Sequence, residues 1–260
     1  MYPNPLKKKL QDGKLVLGTG LPAFTPQVAG MVCNADLDFI WICTEHSPYA
    51  FEHLDTIPTL IRQRGIAPMI RVANNDAGLI KKAYDVGGVA VMVPQVDTPE
   101  EAAKAVAYAR YPPQGKRGIT PNWPFLAGVD WGHVIRTANE ETVLILQLES
   151  QEAYDNIDAI VEVEGFDVLL VGPMDLSASV GHITQTDCDE VQRIMEEVPK
   201  KIAGSGVIAG TTLAGLDELQ EKFRWGYRFL NVGSPLSYGM ELLDNNLHDL
   251  RSNPTGRGEK

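Results

Sequence analysis

A chain of 260 residues, 44% hydrophobic and 22% charged, is long enough for one large barrel or two small domains and has an ordinary globular composition. Its formal net charge of −11 disfavours nucleic acid, which asks for a concentrated basic surface. No run approaches the roughly 20 apolar residues that span a bilayer, so no membrane contact is expected.

In chain order, the N-terminus Met-Tyr-Pro-Asn-Pro-Leu-Lys-Lys-Lys is basic, but the apolar stretch after it is too short for a signal peptide. The expected compartment is the cytoplasm. Short β-like runs follow at Leu15–Gly18, Phe39–Thr44, Ala67–Val72, Val89–Pro94, Thr142–Leu148, Val168–Gly172, Val207–Gly210 and Phe229–Val232. Each is apolar without alternation, as strands buried on both faces should be. Helical segments separate them. Asp76 opens Ala77–Val86, and Thr98-Pro99-Glu100-Glu101 opens Ala102–Arg110 with proline at the first helical position. Ser150-Gln151-Glu152 precedes Ala153–Val163, and Asp187 precedes a long helix through Ile202. Leu216–Trp225 fills the interval before the last strand and Leu236–Leu250 follows it, with Ser252–Lys260 as a frayed polar tail.

Eight strands alternating with helices predict a single (β/α)8 TIM barrel over residues 1–260. A doubly wound open sheet is the rival, and it wants a GxGxxG turn after its first strand. Here Leu17-Gly18-Thr19-Gly20-Leu21-Pro22 leads into Ala23-Phe24, so the third glycine is missing and the barrel stands. The longest interval, Gln95–Glu141, reads as one helix and then a loop lying over the barrel mouth. Its Asn122-Trp123-Pro124-Phe125 stretch is a candidate lining for the pocket.

A parallel barrel builds its active site at the C-terminal ends of its strands. Glu149 and Asp175 follow two adjacent strands there, and such a pair calls for a divalent cation to offset its repulsion. Either acid alone reads better as a helix cap; two at adjacent strand ends, with Arg71 and His46 at two further ends, point to a site. His46 follows the second strand and is a natural proton carrier at a barrel mouth, or a structural loop histidine. Arg71 ends the third strand, where burial demands an anion from the protein or from a ligand. Glu45, beside His46, is expected to point to a helix cap or a subunit contact. The segment Gly172-Pro173-Met174-Asp175-Leu176-Ser177 offers backbone N–H groups for a carboxylate. Asp85 ends a helix, where the dipole disfavours it, so a compensating partner is expected. His53, His133, His182 and His248 read as surface or packing residues. Cys33, Cys43 and Cys188 fall in no metal-like or redox-like spacing.

At these residues the chain resembles the HpcH/HpaI aldolase family, metal-dependent class II pyruvate aldolases of the phosphoenolpyruvate/pyruvate barrel superfamily. The motifs are Glu45-His46-Ser47-Pro48, Pro68-Met69-Ile70-Arg71-Val72, Val93-Pro94-Gln95-Val96, Tyr111-Pro112-Pro113 with Arg117-Gly118, Ala138-Asn139-Glu140-Glu141, Gln147-Leu148-Glu149 and Gly172 to Ser177, ordered between about Lys8 and Leu250. The resemblance implies Mg²⁺, Mn²⁺ or Co²⁺ on Glu149 and Asp175, with a 2-oxoacid and an aldehyde as substrates. It implies that Arg71 binds the keto oxygen and that His46 moves protons, with Asp85 a further catalytic carboxylate. Gln147, Gly172, Pro173, Met174, Asp175 and Leu213 would contact substrate. It also implies a homo-oligomer, a trimer or hexamer, that exchanges the last helix between subunits. The family usually has Asp-Gly-Glu-His where Cys43-Thr44-Glu45-His46 stands here. Losing that aspartate would lower the histidine's basicity. Related enolate chemistry, oxaloacetate decarboxylation or a citrate-synthase-like condensation, is therefore the alternative, and an oxoacid- or metal-binding protein without catalysis is a third reading.

Overall fold

The computed structural model describes residues 4–213 and 215–252. Eight parallel strands close into a barrel in sequence order: β1 Val16–Gly20, β2 Phe39–Cys43, β3 Ala67–Arg71, β4 Ala90–Val93, β5 Val143–Leu148, β6 Val168–Val171, β7 Ile208–Thr212 and β8 Phe229–Asn231. Closure is made by β8 on β1, in the register Val16↔Phe229. The expected barrel is therefore correct. Two strands run further than their apolar residues suggest. The glycine and threonine ends of β1 and β7 read as turn residues, yet partners are in place for them, Trp41 opposite Gly20 and Asn231 opposite Thr212.

The helices among the described residues are α1 Pro5–Gln11, α2 Pro26–Val32, α3 Ile57–Gln63, α4 Ala77–Asp85, α5 Pro99–Ala109, α6 Trp123–Ala127, α7 Trp131–Glu141, α8 Gln151–Asp155, α9 Ile157–Val161, α10 Pro173–Ser179, α11 Asp189–Lys201, α12 Leu216–Trp225 and α13 Pro235–Ser252. Their starts follow local chemistry. Asp76 caps α4 by accepting from Gly78 and Leu79 N–H, and Thr98 and Glu101 close a capping box on α5. The segment read as one helix over Ala153–Val163 is two, because Asn156 interrupts it between α8 and α9. Ser252 belongs to α13, and the rest of the expected tail lies outside the described residues. No described helix is long and apolar enough to cross a membrane.

The long interval after β4 does not cover the barrel mouth. Only Pro94–Thr98 lies at that end; α5 then runs back along the barrel, and the chain from Tyr111 onward stays near the N-terminal strand ends until α7 delivers it to β5. Three arginine–aromatic contacts hold it there. The Arg62 guanidinium sits 3.6 Å from the Trp123 ring centre, and Arg117 lies between the rings of Tyr84 and Tyr111 at 4.4 and 4.5 Å. Asn122 N–H donates to the carbonyl of Asp85. Buried arginines and aromatic faces outcompete solvent for this segment.

Inside the barrel, the Phe39 and Phe229 rings stack at 4.3 Å, across β1. The strand between them carries Gly18, and a Cβ there would lie 2.4 Å from the Phe39 ring. Glycine is what lets two aromatic rings fill the axis. We expect Gly18→Ala to lower stability by about 1–3 kcal/mol, the usual cost of overpacking a filled core, read as a lower urea midpoint with an unchanged slope.

Candidate active site

At the C-terminal strand ends the barrel opens into a cavity of about 740 Å³, within the range of small-molecule sites. Its lining includes Trp41, His46, Arg71, Gln147, Asp175 and Asn231, delivered by strands from around the ring. The barrel geometry collects residues that are far apart in sequence, as the parallel topology dictates.

Arg71 occupies the last position of β3, opposite Cys43 of β2. Its side chain is 11% exposed, and its charge is met by a protein carboxylate: Nε lies 2.9 Å from Glu45 Oε2. Nη2 donates to Cys43 Sγ at 3.1 Å and Nη1 to Gln147 Oε1 at 3.4 Å. Glu45 therefore points into the site, not to a cap or a subunit contact as its position beside His46 suggests. The buried guanidinium draws it in. The Nε and Oε2 atoms are close but misaligned, and neither makes a hydrogen bond. The ion pair balances charge while leaving donor capacity for an incoming oxygen.

Glu149 follows β5 and is 5% exposed. Its Oε1 accepts from Gln95 N–H at 2.9 Å and its Oε2 from Gln147 Nε2 at 2.8 Å. Gln95 presents that N–H from a left-handed backbone, φ +52°, which a non-glycine residue adopts only under constraint. Gly172 makes room: a Cβ there would sit 2.8 Å from Glu149 Oε2. Burial pushes the Glu149 carboxyl up to about 7 despite the Gln95 hydrogen bond, and the nearby charges of Asp175 and Glu45 push the same way. Burial also holds Glu45 above its ordinary value, against the pull of Arg71.

Asp175 is the third residue of α10 and is solvent-exposed at the pocket edge, near enough that its charge raises both neighbouring acids. Three carboxylates thus face one arginine. Hard oxygen donors with uncompensated negative charge suit a divalent cation. Among the described residues no group of three or more His, Cys, Asp or Glu forms a full ligand set. A cation held by Glu149 and Asp175 would take its other ligands from water and substrate.

His46 is mostly exposed, with Nε2 3.8 Å from Glu45 Oε2. Cys43 does not touch its ring; the thiol accepts instead from the His46 backbone N–H at 3.5 Å. Met174, Pro173, Gly172 and Leu213 line the same cavity. Asp85 does not join them within the chain. It ends α4, just ahead of β4 and so at the opposite end of the barrel, where Arg117 Nη2 donates to it at 3.1 Å. That arginine is the compensating partner a carboxylate at a helix C-terminus requires. Trp123 lies at that end too, so the Asn122–Phe125 stretch does not line this chain's own pocket. Trp41, Thr212 and Asn231 line the pocket but escaped sequence reading, because they are strand residues that carry no motif.

The HpcH/HpaI aldolase/citrate lyase family model matches residues 18–238. The chain is 32% identical to a 2-keto-3-deoxy-L-rhamnonate aldolase of Escherichia coli O9:H4 (strain HS) over 256 residues, covering 97% of this chain and 95% of that one. The crystal structure of an HpcH/HpaI aldolase/citrate lyase family protein from Burkholderia cenocepacia J2315 superposes with a TM-score of 0.89 at 28% identity, covering 95% of this chain and 99% of that one. That of the citrate synthase SbnG superposes with a TM-score of 0.85 at 26% identity, covering 96% and 98%.

Because the folded chain holds the Glu149 proton up to about pH 7 while an unfolded carboxyl releases it near 4.5, the unfolded state binds fewer protons in that window. Stability without divalent cation should therefore fall as pH rises from about 4.5 to about 7, by on the order of 2–3 kcal/mol. Glu149→Gln should flatten this slope in urea titrations across the same window.

Proposed function

Because the chain belongs to the HpcH/HpaI aldolase/citrate lyase family and is an enzyme, an aldolase-type carbon–carbon lyase, we propose that it makes or cleaves 4-hydroxy-2-oxoacids through a pyruvate or hydroxypyruvate enolate. The observation that carries this reading is the buried Arg71, fixed by Glu45, Cys43 and Gln147 beside the Glu149–Asp175 pair. The third reading, a binding protein without catalysis, is set aside by the aldolase relatives.

Glu149 and Asp175 would hold Mg²⁺, Mn²⁺ or Co²⁺, which when bound polarises the 2-oxo group and acidifies C3. Arg71 donates to the keto oxygen and stabilises the negative charge that develops on it as C3 gives its proton to a base at the open side of the cavity, His46 or water. Its three anchors hold the guanidinium in place before substrate arrives, which is what makes such charge stabilisation effective. The N–H groups at Met174 and Asp175, in the first turn of α10, hold the substrate carboxylate, and Gln147 and Leu213 pack the oxoacid in place. His46, at the open side, passes a proton between the aldehyde oxygen and solvent, with Glu45 next to it stabilising the imidazolium. Asp85 takes no part within one chain.

The likeness to a citrate synthase and the thiol of Cys43 at Arg71 favour one second reading, in which the same enolate is generated by oxaloacetate decarboxylation or captured by another electrophile. The enolate itself is common to both. Helix α13 supports a homo-oligomer, trimer or hexamer, with this helix exchanged: it buries none of its residues, and Leu236, Met240, Leu243 and Leu247 are among the apolar side chains it exposes. An apolar stripe of this kind asks for a partner surface.

With Mg²⁺, Mn²⁺ or Co²⁺ added, the methyl protons of pyruvate should exchange with deuterium oxide, and chelation should stop the exchange. Arg71→Lys should slow it by about 10²-fold or more, as loss of a preorganised donor does, and Glu149→Gln should abolish the cation response. His46→Gln should lower aldol turnover by roughly 10²–10⁴-fold. No exchange with any of the three cations would exclude the reading. Aldehyde release from 4-hydroxy-2-oxoacids, compared with oxaloacetate decarboxylation under the same conditions, decides between the two electrophile schemes. Deletion of α13 should reduce the mass seen by light scattering to that of a smaller species.

A further inference from the structure

The turn after β2 sends two neighbouring side chains in opposite directions. Thr44 closes the turn onto β3, its N–H and its hydroxyl both donating to the Arg71 carbonyl, at 2.9 and 2.7 Å. The Ser47 hydroxyl donates back to the Cys43 carbonyl at 2.5 Å, and the His46 N–H to Cys43 Sγ at 3.5 Å. The segment from Cys43 to Ser47 is thus tied down at both ends. Within it Glu45 turns inward, its side chain 12% exposed, and His46 turns outward, its side chain 64% exposed.

One oxygen of Glu45 stands between two partners. Oε2 is buried, 2.9 Å from Arg71 Nε and 3.8 Å from His46 Nε2, and makes a hydrogen bond to neither. A carboxylate committed to one partner would gain a charge-assisted hydrogen bond there. Glu45 is divided instead. Arg71 does not depend on it for position, because Nη1 and Nη2 donate to Gln147 and Cys43. The other charges that act on Glu45 are Asp175 on α10 and Glu149 after β5. Both are negative, so the attraction on this carboxylate comes from Arg71 and His46.

We propose that Glu45 is a positioning residue that couples proton uptake by His46 to stabilisation of the enolate by Arg71. In cleavage of a 4-hydroxy-2-oxoacid the C4 hydroxyl gives its proton to His46, and the O–H pair becomes the second bond of the leaving aldehyde carbonyl. The C3–C4 bond breaks. Its pair forms the C2–C3 double bond, and the keto pair moves onto the oxygen beside Arg71. Two charges arise together, an imidazolium next to Glu45 and an oxyanion next to Arg71. The imidazolium draws Glu45 toward itself, so the guanidinium is less compensated at the moment the oxyanion forms. A carboxylate bonded to Arg71 alone would offset its charge throughout. The inference rests on the 2-oxoacid reading and adds to it a link between the residue that moves the proton and the residue that holds the oxyanion.

The test measures kcat and KM for aldol cleavage, and the inhibition constant of oxalate, on the full chain with its best cation. Oxalate is a planar dianion shaped like the pyruvate enolate; it needs Arg71 but gives no proton to His46. Glu45→Gln should lower kcat for cleavage by about tenfold or more and change KM by less than about threefold. It should bind oxalate at least as tightly as the wild type, because Arg71 loses its counter-charge and keeps Cys43 and Gln147. In a His46→Gln background the same substitution should cost less than about threefold in kcat, since coupled residues are not additive. Glu45→Asp should lie between wild type and Glu45→Gln in kcat with oxalate binding retained, and it carries the same comparison if the amide variant does not fold. A residue that only braces Arg71 gives another pattern: oxalate binding and kcat fall together, and the loss is the same with or without His46. Either result overturns the coupling. A wild type that neither binds oxalate nor exchanges pyruvate methyl protons overturns the 2-oxoacid reading and the coupling together, whereas parallel losses in an active wild type overturn the coupling alone.

Discussion

One arginine and three carboxylates share the mouth of this barrel, and the electrostatics of the site turns on their imbalance. Arg71 is matched by Glu45, which leaves Glu149 and Asp175 without an ion-pair partner among the described residues. Burial makes the charge on Glu149 expensive, and neighbouring negative charge makes it more so. The protein therefore holds one carboxylate poised near neutrality and an arginine already immobilised. The same imbalance accounts for why the second acid can afford to be exposed at the edge of α10.

Backbone features carry much of the precision. Gln95 accepts a left-handed conformation that lets its N–H meet Glu149, and Gly172 leaves the space that the carboxylate occupies. Gly18 admits the Phe39–Phe229 stack that closes the axis beneath the pocket. Gln95 and Gly18 touch no substrate in the scheme above, yet with Gly172, which lines the cavity, they decide how deep the pocket is and where its acids point. The strand ends above this floor then differ by function: acids and arginine on one side, neutral polar atoms around β1 on the other.

The opposite end of the barrel follows another logic. There Arg62, Arg117 and their aromatic partners hold the long segment after α5, and Asp85 serves as the counter-ion of Arg117. Charge is paired and aromatic faces are covered, as a stabilising face requires. Helix α13 breaks the pattern of the fold by burying none of its residues and exposing its apolar ones.

The eight apolar runs, the capping residues and the strand-end positions of His46, Arg71, Glu149 and Asp175 were legible in the amino-acid order, because buried parallel strands and helix starts are local patterns of residue type. Recognition of the family added the grouping of these residues into one site. The direction of Glu45, the unpaired atoms of Trp41 and Asn231, and the end of the barrel taken by Asp85 and the Trp123 segment were decided only by tertiary structure. Each depends on which neighbours a side chain meets after closure: a buried guanidinium attracts Glu45, the register of β1 sets Trp41 and Asn231 on either side of one strand, and aromatic–arginine stacking holds the long loop away from the mouth. Periodicity states which face a residue is on, but not what charge or ring stands opposite it across a closed ring of strands.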